Sequence, residues 1–100
     1  MPAFRAEVPH NLGQEEATKR LKGFIDHVQQ QFEDQISAVD GVWTDHVLNF
    51  SLSTNGITIK GALSVEADKA RVEGQLPLLA TPFRGMIERT ITGELAQALA

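Results

Sequence analysis

One hundred residues, 42% of them hydrophobic, suffice for one core and leave little room for a large ligand cavity beside it. Nine Lys and Arg against 13 Asp and Glu give a net charge of −4 (9 − 13), which excludes the clustered cationic excess that nucleic-acid phosphates require. The absence of cysteine excludes disulfides, thiolate metal sites and a cysteine nucleophile, and fits a reducing, cytoplasmic setting.

The N-terminal stretch MPAFRAEVPH has neither the basic start nor the apolar run of a signal peptide. No segment reaches the ~18 to 20 apolar residues of a membrane span, so a soluble chain without a span is expected. Ala3 to Val8 alternate, with Phe4, Ala6 and Val8 on one side and Arg5 and Glu7 on the other, the pattern of a half-buried strand. Pro9 closes it, because proline offers no backbone donor to a ladder. Asn11 and Gln14 have the spacing of a capping box, and Glu15 and Glu16 follow where a positive helix end favours acids. Asn11 is therefore the expected N-cap, and His10 a turn residue with no chemistry, mild to replace.

Ala17, Leu21, Phe24, Ile25, Val28, Phe32 and Ile36 recur at helical steps and predict one long amphipathic helix. Asp40-Gly41 is its firmest break. Beyond it the period becomes two. Val42-Trp43 reads as a short strand, Thr44-Asp45-His46 as a turn, and Leu48, Phe50 and Leu52 as an inward face. Asn55-Gly56 between alternating runs is a strong hairpin signal. Ile57, Ile59, Gly61, Leu63 and Val65 then share one side, and after the turn Ala67-Asp68-Lys69 so do Ala70, Val72, Gly74 and Leu76. Thr81-Pro82 reads as N-cap and first helical residue of a closing helix whose stripe is Phe83, Ile87, Ile91, Leu95 and Leu99, with Met86 and Ala98 beside it. The expected fold is a single α+β domain over residues 1–100: two layers, an antiparallel sheet of four to five strands packed on one face by two helices, order β-α-β-β-β-β-α.

Candidate chemistry is sparse. His10, His27 and His46 have no evident partner in the sequence, and Asp26-His27 is no dyad because adjacent helical residues point about 100° apart. No GxSxG, phosphate loop or dinucleotide glycine pattern occurs. No catalytic residue, metal ligand or cofactor is expected, and the chain reads as a non-enzyme. Two stretches offer contact surfaces. TKRLK gathers Lys19, Arg20 and Lys22 on about one and a half helical turns, a face for an acidic partner or a phospholipid surface, or simply a solvated one. LPLLATPF crowds Leu76, Leu78, Leu79 and Phe83 before the last helix. Consecutive residues in so short a connection rarely both point inward, so at least one of Leu78 and Leu79 should be exposed and serve as a partner contact. A homodimer would form through this corner or an edge strand.

Taken together, the motif H-x-LG-x-x-x-A (His10, Leu12, Gly13, Ala17), the long helix, Trp43, L-x-F (Leu48, Phe50), G-x-x-x-x-G-x-L-x-V (Gly56, Gly61, Leu63, Val65), LPLLATPF and the closing FRGMIERTI resemble the polyhydroxyalkanoic acid system proteins over nearly the whole chain. These are short bacterial proteins associated with polyhydroxyalkanoate granules or with the genes that make and use the polymer. The resemblance implies a cytoplasmic accessory protein whose partner is the granule surface or a granule protein, with no catalytic residue to carry over. The alternative is a small module binding an apolar ligand between helix and sheet.

Overall fold

The computed structural model describes residues 3–54 and 56–100. Strand β1 (Ala3–Pro9) leads to helices α1 (Gln14–Leu21) and α2 (Phe24–Gln31). Strands β2 (Ala38–Thr44), β3 (Val47–Thr54), β4 (Ile57–Val65) and β5 (Lys69–Gln75) follow. A 3-10 helix (Leu78–Phe83) then joins helix α3 (Arg84–Leu99). The five strands form one antiparallel sheet in the order β1-β5-β4-β3-β2, with the helices packed on one face, as the alternation predicts. Phe4, Leu48, Leu63, Val65 and Leu76 from the sheet side and Leu21 and Leu95 from the helices are fully buried. Each contributes about 1.5 to 3 kcal/mol of transfer free energy.

Register places Phe4, Gly74, Gly61, Phe50 and Gly41 in one inward row across all five strands. The glycines there are seats for large side chains. A Cβ on Gly74 would lie 2.5 Å from the Phe4 ring and closer still to the carbonyl oxygen of Lys60, and one on Gly61 would lie 2.9 Å from the Phe50 ring. At Gly41 it would meet Leu48 Cδ1 at 2.9 Å. The Phe4 and Phe50 rings thus occupy the space that side chains at Gly74 and Gly61 would need.

Several local expectations are corrected. Asn11 is not the N-cap: the first helix is capped at Gly13, whose φ of 79° suits glycine, and no side chain caps it. Gln14, the second member of the expected box, instead donates through Nε2 to the Val65 carbonyl, 2.9 Å away, and ties α1 to β4. Asn11→Ala should therefore change stability by less than about 0.5 kcal/mol, where loss of a true cap would cost about 1, as chemical denaturation would measure. The long helix is two helices, interrupted at Lys22 and Gly23. Asp40-Gly41 is no break but the middle of β2, held by pairing of Asp40 with Ser51 and Gly41 with Phe50. Val42 and Trp43 accordingly belong to a longer strand. The Thr44-Asp45-His46 turn is present, with Asp45 at φ 54°. Asn55 lies outside the described residues, but Thr54 pairs with Ile57 and Gly56 has φ 78°, the tight hairpin that the sequence predicts. Thr81 and Pro82 lie inside the 3-10 helix, and α3 begins at Arg84 with Phe83 as its N-cap.

Helix α3 packs against β1, one of the two edge strands of the sheet. The Arg5 amide donates to Glu88 Oε2 of α3 at 2.8 Å. No helix among the described residues is long and apolar enough to cross a membrane.

Candidate functional site

The corner after β5 is built by a change of period. Leu76, the residue after β5, is fully buried, and Pro77, at φ −60° and ψ 155°, keeps the chain extended into the 3-10 helix. That helix has three residues per turn, so about one side chain in three can face the core. Ala80 takes the inward place, 2% exposed, and its amide donates to the Pro77 carbonyl at 2.9 Å. Leu78 and Leu79 are thereby turned outward and stand 79% and 80% exposed.

The stripe predicted for the closing helix also fails at its start. Phe83 is 51% exposed and Met86 53%, while Ile87 and Ile91 are half-buried and Leu95 and Leu99 are buried. Five large hydrophobic residues are exposed among the described residues, and four of them, Leu78, Leu79, Phe83 and Met86, fall within nine consecutive positions. Scattered exposed leucines are ordinary on a monomer, but four large apolar side chains exposed within nine positions make this corner the candidate contact surface.

The cationic candidates sit elsewhere. Lys19 and Arg20 of α1 and Lys22 just after it are exposed, but Arg20 bonds Glu16 Oε2 at 3.2 Å and the Ala100 carbonyl. Lys19 and Lys22 line a surface pocket of about 320 Å3 with Glu15, Glu16, Thr18, Asp45 and His46, so their charge is mixed with carboxylates. A second surface pocket, about 410 Å3, is lined by Asp26, Gln29, Gln30, Glu33 and Ile36. Neither is lined by an inward residue of the sheet.

The three histidines acquire partners that no local pattern announced. His10 is 7% exposed, a correction to its expected mild role. Its Nδ1 accepts from the Leu12 amide at 3.2 Å, which leaves Nε2 as the protonated nitrogen, donating to the Glu66 carbonyl at 3.0 Å. The imidazole thus splices the first turn to the β4–β5 turn. His27 does not pair with Asp26 but lies 3.5 Å from Glu94 of α3, whose Oε2 is buried with no hydrogen-bond partner. Thr18, 4% exposed, donates to the Gln14 carbonyl at 2.7 Å and so accepts from His46 Nδ1 at 2.8 Å. His46 Nε2 is 3.6 Å from Glu15. This string joins hydroxyl, imidazole and carboxylate, with the Thr18 proton committed to Gln14, and it docks α1 on the β2–β3 turn. Among the described residues, no three His, Asp or Glu side chains are grouped to hold a metal ion.

Solved structures with this architecture include DynU16, a protein from the dynemicin biosynthetic locus, at a TM-score of 0.62 and 16% identity over 97% of this chain. The chain spans about half of that protein's length, 46%. TTHA0849 from Thermus thermophilus is similar at a TM-score of 0.57 and 12% identity, covering 98% of this chain and 94% of its own. At such identities the likeness is one of fold. No curated protein gives a significant match. The family model described as "Putative polyhydroxyalkanoic acid system protein" matches residues 5–99, from β1 through the exposed corner to the end of α3, and the chain belongs to that family.

Proposed function

We propose that this protein is a non-enzymatic, cytoplasmic accessory of the polyhydroxyalkanoate system that works by seating Leu78, Leu79, Phe83 and Met86 on an apolar surface, the polymer granule or a protein on it. The observation that carries this reading is the pair of leucines about four-fifths exposed on a short 3-10 helix whose inward residue, Ala80, and preceding residue, Leu76, are anchored in the core. Such a corner can present apolar side chains without unfolding. Burial of the two leucines alone would contribute about 3 to 6 kcal/mol before the costs of association are subtracted. The alternative, an apolar ligand held between helix and sheet, draws no support from the two surface pockets, whose walls are charged or polar apart from Ile36 and the alkyl parts of long side chains.

Leu79→Asp tests the reading. Because the side chain is exposed, the melting temperature should stay within about 2 °C of wild type, while retention on isolated polymer granules in a sedimentation assay should fall at least tenfold. Full retention by a folded variant would rule the corner out.

A further inference from the structure

We infer that the open edge of β2 is a strand-pairing surface for a second copy of this chain, and that the Asp40 carboxylate keeps it closed. Among the described residues, β2 pairs with β3 alone, so one row of its backbone amides and carbonyls faces outward. One hydrogen bond shows which residues present them. The Gly41 amide donates to Asp40 Oδ1 at 3.0 Å, so it points away from Phe50, its partner on β3. Backbone groups alternate in direction along an antiparallel strand, and those of Val39 and Trp43 therefore point to the open edge as well.

These three positions are self-complementary. When two copies of β2 are set antiparallel about a two-fold axis at Gly41, Gly41 faces its own counterpart and Val39 faces the Trp43 of the second copy. Each such pair can exchange both of its backbone hydrogen bonds. The inward row of Phe4, Gly74, Gly61, Phe50 and Gly41 would then continue from one sheet into the other. Val42, 63% exposed, would stand beside the second strand on the outer face. The strand, AVDGVWT, carries neither proline nor lysine, the residues that commonly blunt an edge. Its one charge is Asp40. That carboxylate has no cation within 4.0 Å among the described residues, and its hydrogen bond takes the amide at the very centre of the pairing. Pairing would also bring the two Asp40 side chains to diagonal positions on one face, where like charges repel. The opposite edge is treated the same way, since the Arg5 amide of β1 is taken by Glu88 of α3. A carboxylate thus occupies an outward amide at each edge of the sheet.

Sedimentation of the full chain up to submillimolar concentration tests this. Asp40→Thr and Asp40→Val both remove the carboxylate from an exposed position and suit a strand, so each should keep the wild-type melting temperature. Each should self-associate more tightly than wild type by about tenfold or more. Adding Val39→Pro should return D40T to the wild-type level in a protein that still unfolds cooperatively. Proline lacks an amide that the pairing needs, while the bonds to β3, made by the alternate residues, are kept. Adding Leu79→Asp should leave the association of D40T unchanged, which separates the edge from the corner after β5. Association of both Asp40 variants no tighter than that of wild type overturns the inference. So does association that survives Val39→Pro or is lost with Leu79→Asp, since either places the contact elsewhere. Association of the wild type that Val39→Pro abolishes also overturns it, because the edge would then have no guard.

Discussion

Gly74→Ala should lower the stability of the domain by about 3 kcal/mol or more, and its melting temperature by roughly 10 to 25 °C. Few single methyl groups have so large an effect. The reason is the row in which Gly74 sits, between Phe4 of β1 and Gly61 of β4. The added Cβ would press on both the Phe4 ring and the backbone carbonyl of Lys60. The ring could rotate away only by leaving a packed core, and the carbonyl belongs to a paired strand and cannot move without distorting the ladder. Combining Gly74→Ala with Phe4→Leu separates the two contributions, since the smaller side chain relieves the ring contact but not the carbonyl. The pair should be non-additive, with the double variant more stable than the sum of the single losses predicts. Thermal or chemical unfolding measures all three. A Gly74→Ala protein as stable as wild type would show that the sheet bends freely here.

His10→Ala should cost about 2 to 3 kcal/mol. Its side chain is enclosed and uses both ring nitrogens, one accepting from the Leu12 amide and the other donating to the Glu66 carbonyl. Truncation strands both backbone groups in a part-buried site, and each orphaned group costs about 1 to 3 kcal/mol unless water reaches it. The conservative variants make the account specific. Asparagine can place an acceptor near the position of Nδ1 and glutamine a donor near that of Nε2, so each should restore part of the loss, and neither all of it. If His10→Ala were mild and the amide variants no better, the imidazole would be only a space-filler.

The β-meander was legible because each strand alternates and each hairpin is announced by its own turn residues, as at Thr54 to Ile57. What a local pattern cannot contain is which residues meet across strands. Phe4 and Gly74 are neighbours only through register, so the glycine row was invisible, although both positions were correctly assigned to inward faces. Asp40-Gly41 misled for the same reason: a strong turn signal was overridden when β2 paired along its whole length with β3. The helix break at Lys22-Gly23 escaped because Leu21, Phe24, Ile25 and Val28 keep helical spacing across it. Asn11 and Gln14 have the right spacing for a capping box, yet the Gln14 side chain has a longer-range partner in Val65. At the corner, the expectation that two adjacent leucines cannot both turn inward had the right direction. It understated the exposure, since the three-residue period around Ala80 turns both of them out.

The measurement that bears most directly on the proposed role is the location of a fluorescent fusion of the full chain in cells that are accumulating polyhydroxyalkanoate. Wild type should decorate the granules, and a variant carrying both Leu78→Asp and Leu79→Asp should be diffuse at equal abundance and with an unchanged melting temperature. Granule decoration by that variant at the wild-type level would contradict the account.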